Sequence, residues 1–142
     1  MAHLNIGSNL GDSRLIIDTA VAEVFALSEG VRRRSPFYES EPWGFVSPNR
    51  FLNIGVEISS RLTPIELLHA LQGIERLVAD RFADRGNAHR NPDGSYSDRY
   101  IDIDIIFYGN LAVDSPELTI PHPHYNERDF VVHPLRALGH RI

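Results

Sequence analysis

The chain contains no cysteine, which removes disulfides, thiolate nucleophiles and thiolate metal sites together. Any metal it holds must sit on oxygen or imidazole. It also lacks a run approaching the roughly 20 apolar residues of a membrane-spanning helix, and its N-terminus has neither the basic nor the long apolar region of a signal peptide. The cytoplasm is the expected compartment. Positive charge is in deficit: the formal net charge is −5 over 142 residues. This disfavours extended contact with a phosphate backbone but leaves room for a local basic patch on a nucleotide. Neither nucleic acid nor a membrane is an expected partner. No internal repeat or low-complexity tract is visible, and 42% hydrophobic residues suffice for one core. Residues 1–142 therefore read as a single domain.

What stands out is residues 99–109, a strand-like run rich in β-branched and aromatic side chains that ends on a Gly109-Asn110 turn signal. Alternation puts Asp102, Asp104 and Ile106 on one side and Ile101, Ile103 and Ile105 on the other, the core side. Two acids roughly 6 to 7 Å apart at Cα repel each other unless a cation stands between them. The same pattern also describes the solvated face of an amphipathic strand.

The rest of the chain is read in order. A short strand at His3-Leu4-Asn5-Ile6 enters the turn formers Gly7 to Asp12, which lack the Lys of a phosphate-binding P-loop and read as a tight turn. A helix follows, capped by Asp12 or Ser13, with Ile17, Ala20, Val21, Val24 and Leu27 at helical spacing. Residues 31–39 read as one strand, whose Arg32, Arg33 and Arg34 alternate faces as a solvated edge or as anion contacts. The loop 40–49 carries Trp43 and Phe45, which are either buried locally or used on a ligand. A third strand spans 51–59, and its Asn53 must be tied to backbone or aimed at an amide-like ligand edge.

Thr63-Pro64-Ile65-Glu66 opens a second helix with an N-cap, an N1 proline and a capping box, and Leu67, Leu68, Leu71, Ile74 and Val78 form its apolar face. Residues 79–98 lose this periodicity and carry Arg81, Arg85 and Arg90, as expected of a lid that orders over phosphates. Residues 110–119 read as a connector. Residues 120–130 place His122, His124 and Arg128 in a proline-stiffened turn suited to phosphate contact, or to metal through a His-x-His pair with no third ligand nearby. Residues 130–135 read as a short apolar segment and 135–142 as a frayed or short helical end. The order β-α-β-β-α-β predicts an α+β fold, a ferredoxin-like sandwich with its helices on one face of an antiparallel sheet and the active site on the other.

Taken together, Gly7-Ser8-Asn9-Leu10, Phe51-Leu52-Asn53, Arg99-x-x-Asp102-Ile103-Asp104-Ile105-x-x-Tyr108-Gly109, and Pro121-His122 followed by Arg128-x-Phe130 resemble the motif set of the 6-hydroxymethyl-7,8-dihydropterin pyrophosphokinase family, in the family's order. The resemblance implies an enzyme of folate biosynthesis that transfers the β,γ-diphosphoryl group of ATP to the pterin hydroxymethyl oxygen, leaving AMP. By the same resemblance Asp102 and Asp104 hold two magnesium ions, a role two carboxylates on one strand face can fill. Arg99, His122 and Arg128 contact the triphosphate, while Gln72, Glu75, Ile105 and Thr119 line the nucleotide site. Ser40, Trp43, Asn53, Tyr96 and Phe130 border the pterin. The protein is expected to be a monomer. Departures accompany the match: Tyr96-Ser97-Asp98 stands where the family usually has Trp-Gly-Pro, the loop from Ala79 is longer than expected, and Glu117 stands where an Arg is common. A two-metal hydrolase or nuclease built on the same Asp pair, and a non-catalytic ligand-binding module, are the other readings.

Overall fold

The computed structural model describes residues 1–40, 50–82 and 100–140. Strands β1 (Ala2–Ser8), β2 (Ser28–Arg34), β4 (Phe51–Ser60) and β5 (Asp102–Tyr108) form an antiparallel sheet in the order β2-β4-β1-β5, with β3 (Tyr38–Ser40) paired to the start of β4. Helices α1 (Ser13–Ala26) and α2 (Pro64–Phe82) follow β1 and β4. After β5 come a small hairpin, β6 (Val113–Asp114) and β7 (Thr119–Ile120), a 3-10 turn at Tyr125–Glu127, and α3 (Asp129–Ala137). The protein is thus α+β, an antiparallel sheet with three helices.

The core follows from alternation in the strands and from the helical stripes. Leu4 and Ile6 of β1, Ile54, Val56 and Ile58 of β4, and Ile103 and Ile105 of β5 are buried against Ile16, Ile17, Ala20, Val21 and Val24 of α1 and Leu67, Leu71, Ile74 and Val78 of α2. Leu68, expected in that stripe, is only partly buried at its margin. Both helix starts obey their capping chemistry. Asp12 Oδ1 accepts from Leu15 N at 3.3 Å, while Thr63 Oγ1 and Glu66 Oε1 accept reciprocally from Glu66 N (3.2 Å) and Thr63 N (2.9 Å). The helix α2 runs on through residues 79–82, which the sequence assigned to the lid, and Arg81 lies over the Phe82 ring.

Two further expectations are corrected. The single strand at 31–39 is two, β2 and β3, because Pro36 has no N–H for the ladder; Ser35 Oγ takes the Gly55 N–H at 2.8 Å where the pairing breaks. The arginines of β2 alternate faces and stay exposed on an edge strand, as expected, and each also has a protein partner. Arg32 donates to the Phe25 and Ser28 carbonyls, Arg33 to Glu57 and the Leu138 carbonyl, and Arg34 to Asp18.

The second correction concerns the face expected to be open. Residues 129–137 form a helix, α3, that lies on that face, even though Pro134 sits inside it. A proline there leaves the carbonyl four residues earlier, Phe130 O, without its helical donor. The side-chain nitrogen of Asn5, pointing from β1, donates to Phe130 O at 3.0 Å and to Ile54 O at 3.2 Å, so the lost hydrogen bond is replaced from the sheet. The helix sits close: a Cβ on Gly55 would fall 2.9 Å from Pro134 Cβ and 3.1 Å from His3 Cε1. Gly55→Ala is therefore expected to cost about 1 to 3 kcal/mol by overpacking, read from urea unfolding. A wild-type midpoint would show that α3 yields freely at this contact.

Candidate active site

The site is built on the face that carries α3. Strand register aligns Asn53 of β4, Gly7 of β1 and Asp102 of β5 in one row across the sheet, and Gly55, Asn5 and Asp104 in the next. Directly paired residues share a face, so Asn53 and Asp102 stand two strand spacings apart, about 10 Å, with only a glycine between them. That glycine is required by close approach, since a Cβ on Gly7 would lie 2.8 Å from Asn53 Oδ1. Asp102 and Asp104 are half-buried and share this face, while Ile103 and Ile105 enter the core, as alternation predicts. Ile106 still falls on the face of the aspartates, as expected, and beyond it the alternation fails. The β1–β5 register slips between His3 and Leu4, so Ile106 is an extra residue. Ile106 and Phe107 both join the far-side cluster with Val131 and Leu135, and Tyr108 turns to the core, where its hydroxyl donates to the Leu62 carbonyl.

The outer edge of β5 supplies the second part of the site. Glu75 of α2 accepts from Ile103 N at 2.8 Å, and His122 N donates to Ile106 O at 3.0 Å. The intervening Ile105 buries its side chain in the core; its main-chain N–H and C=O face the same edge as those of Ile103, because alternate residues of a strand point their polar groups the same way. Gln72 and Thr119 are exposed nearby, on α2 and β7.

His122, Arg128 and Asp102 converge electrostatically. Burial first, then the Arg128 and His124 cations, push the His122 ring down to about 4, against the opposing pull of Asp102. At neutral pH His122 is thus an uncharged hydrogen-bonding group. Arg128 is 6% exposed and lies over the Phe130 ring. The His124 ring pairs with Glu127 at 3.0 Å, and the His124 main-chain N–H donates to His122 Nδ1. The His-x-His pair gathers no third ligand among the described residues.

On the other side of Gly7, Asn53 Nδ2 donates to Tyr38 O (3.2 Å) and Ser40 Oγ (2.9 Å). Asn53 is therefore tied to backbone, and its Oδ1 lies toward Gly7. Tyr38 stacks on His133 of α3 at 4.6 Å, which fixes β3 to the helix that carries Phe130. Sequence reasoning missed this stack and the Asn5 tie. The signal available for Asn5 was a polar residue on a buried strand.

A family profile described as 7,8-dihydro-6-hydroxymethylpterin-pyrophosphokinase (HPPK) matches residues 3–140. The chain belongs to that family. A Porphyromonas gingivalis protein named 2-amino-4-hydroxy-6-hydroxymethyldihydropteridine pyrophosphokinase is 41% identical over 136 residues, 95% of this chain and 88% of the relative. A Bacillus subtilis protein of the same name is 31% identical over 143 residues, all of this chain and 80% of the relative. The folic acid synthesis protein fol1 of Schizosaccharomyces pombe is 39% identical over 141 residues, 98% of this chain and 18% of that longer protein.

Of the residues that the family's motifs select, the structure sets Asp102 beside His122 and Arg128, with Asp104 next on the same face of β5, and ties Asn53 to Ser40; the Phe130 ring lies at the start of α3, by Arg128 and against the Ile106, Val131 and Leu135 cluster. Trp43, Tyr96 and Arg99 lie outside the described residues, as do Arg85, Arg90 and the greater part of the expected lid. Glu117 pairs with His69 of α2 at 2.9 Å, which gives the departure from the HPPK pattern a local partner.

Proposed function

We propose that this HPPK-family chain, acting as a single-domain monomer in the cytoplasm, transfers the β,γ-diphosphoryl group of ATP to the hydroxymethyl oxygen of 6-hydroxymethyl-7,8-dihydropterin. The products are the pterin diphosphate and AMP, in folate biosynthesis. The observation that carries the reading is the row Asn53–Gly7–Asp102. It sets an amide suited to a flat, amide-bearing ring about 10 Å from a carboxylate pair suited to phosphate-bound cations, with a bare backbone between them. The same reading takes the βαββαβ core as ferredoxin-like, supported by the strand order β2-β4-β1-β5.

In this reaction the hydroxymethyl oxygen attacks the β-phosphorus of ATP, the bond from that phosphorus to the α,β-bridging oxygen breaks, and AMP leaves. Asn53 Oδ1 and Ser40 orient the pterin edge, and Phe130 with Tyr96 and Trp43 packs against its ring. Gln72, Glu75, Thr119 and the Ile105 main chain receive the nucleotide, leaving its phosphates over Asp102 and Asp104. Arg128 and Arg99 meet the charge that builds on the phosphates, and neutral His122 adds a hydrogen bond. The donor set of Asp102 and Asp104, two hard carboxylates on one strand face, fits magnesium; these two side chains would hold two such ions, which would neutralise charge on the phosphates.

The experiment is a mass-spectrometric assay with ATP, magnesium and the pterin. Pterin diphosphate and AMP in equal amounts are expected. ADP or free phosphate in their place, or nucleotide hydrolysis without the pterin, would overturn the assignment in favour of the hydrolase reading. A site-level prediction accompanies it. Asn53→Ala should weaken pterin binding by about 1 to 3 kcal/mol, because a buried recognition group is lost, and should leave ATP binding nearly unchanged. Equal losses for both ligands in calorimetry would point to a folding defect along β3 and β4.

A further inference from the structure

The far face of the sheet has a second end. The helix α3 crosses it over Asn5 and Gly55, with the candidate active site on one side. On the other side the next row pairs His3 of β1 with Glu57 of β4 and with Phe107 of β5. The chain returns to this row after α3. Gly139, at φ +97°, closes the helix: Gly139 N donates to Arg136 O and His140 N to Leu135 O, both at 3.0 Å. This cap aims His140 back at the sheet, where its ring lies edge-on to His3 at 5.2 Å. Of the two ends the sequence left open, frayed or short helical, residues 135–140 take the helical one with its cap.

His3, Glu57 and His140 each offer a donor atom within 4.8 Å of the other two. The His140 Nε2 to Glu57 Oε2 distance is 3.2 Å. That is close to the donor–donor edge of a tetrahedral zinc site, about 3.3 Å for bonds of 2.0 to 2.1 Å. The other Glu57 oxygen is held by Arg33 at 3.0 Å, and Arg33 also donates to Leu138 O, so the carboxylate is oriented from behind. His3 is 2% exposed, and neither of its ring nitrogens has a hydrogen-bond partner among the described residues. A buried polar group in that state calls for a ligand. Its surroundings offer room for one: a hollow of about 380 Å³, bordered also by Met1, Phe107 and Asn110, opens beside the three side chains.

We propose that His3, Glu57 and His140 form a binding site for one divalent transition-metal ion of the zinc type, separate from the Asp102–Asp104 pair. Two imidazoles and one carboxylate select such an ion over magnesium, which prefers oxygen donors alone. The hollow leaves a fourth position for water. The bound ion joins β1, β4 and the segment after α3, and so holds the helix on the sheet. The site stands whether or not the proposed reaction does.

The test uses the full chain, stripped with chelator and kept in excess magnesium so that the aspartate pair is occupied. Cobalt(II) should bind in one equivalent and give the visible absorption of a four- or five-coordinate nitrogen-containing site, and zinc should displace it and raise the Tm. His140→Ala should weaken zinc binding by about 100-fold or more, a ligand mattering at least as much as an outer-shell partner, and should abolish the Tm shift. Its circular dichroism and AMP formation should stay at wild-type level. Glu57→Gln provides a second, shape-preserving loss. The doubly substituted Asp102→Asn/Asp104→Asn protein should keep the site. Zinc binding that survives His140→Ala and Glu57→Gln, or that disappears with the two aspartates, overturns the proposal, as does the absence of binding at micromolar zinc.

Discussion

Asp102→Asn or Asp104→Asn is expected to lower pterin diphosphate formation by about 10²- to 10³-fold, the size of effect seen when one group aimed at developing charge is removed, while the fold survives. Asparagine keeps the shape and one carbonyl oxygen but loses the charge that holds a divalent ion. Both side chains are half-buried at the end of an edge strand, outside the cluster formed by Ile103 and Ile105, so folding has little to lose. The two carboxylates also repel each other across roughly 6 to 7 Å, so a melt in chelator should be unchanged or slightly raised. Asp102→Asn carries an additional signature. Among the described residues Asp102 is what pulls the His122 ring upward, so its loss should lower that titration further, readable by NMR, whereas Asp104→Asn should leave it in place. The measurements are AMP and pterin diphosphate formation at saturating magnesium, with the metal-free melt as control. Wild-type turnover in both variants would remove the carboxylate pair from the reaction.

The parts of the fold visible in the sequence were those fixed by short-range chemistry. The capping box at Thr63 and Glu66 and the Asp12 cap need only local hydrogen bonds, and both form as expected. The alternation that puts Asp102, Asp104 and Ile106 on one face and Ile103 and Ile105 on the other holds as far as Ile106. What escaped depended on partners distant in the chain. Residues 130–135 read as a short apolar segment, and the helix that forms there with Pro134 inside it has its freed Phe130 carbonyl taken by Asn5, a residue far earlier in the chain. The bulge at Ile106 sends Phe107 to the far face and Tyr108 to the core, a change set by the β1 register rather than by either residue. Asn53 left two alternatives open in the sequence; its Nδ2 is engaged by Tyr38 O and Ser40 Oγ because β3 pairs there. His3 was read as one residue of a short strand. Its position on the face opposite Leu4 and Ile6 becomes informative only once Gly139 brings His140 over it.

Stability should fall steeply as the pH drops below about 6.5, the ordinary histidine value, in the metal-free, ligand-free protein. Two histidines are held neutral by the fold. Burial, with His140 beside it, pushes His3 down to about 3, and burial with Arg128 and His124 pushes His122 down to about 4. Among the described residues, the charged and titratable groups around His3 include His140, the Glu57 carboxylate in its own row, Arg33 on that carboxylate, and Met1 with its amino terminus across the hollow. Both folded values lie below the unfolded one, so between them the unfolded chain binds more protons and stability rises with pH. The contribution is whole above about 6.5 and is lost progressively on acidification, until the rings charge in the folded state near 4 and 3. One such proton gives a slope of up to about 1.4 kcal/mol per pH unit. His3, 2% exposed, should approach that limit, while half-buried His122 adds less because solvent screens it. Carboxylates titrate mostly lower, so the window from pH 5 to 6.5 isolates the histidines. Urea unfolding across that window, in chelator, should show an uptake of more than one proton on unfolding. His3→Gln should remove about one of them and His122→Asn a smaller part. A flat profile from pH 7 to 5 in the unmutated protein would mean that neither ring is held neutral by the fold, and that His3 has water or another partner within reach.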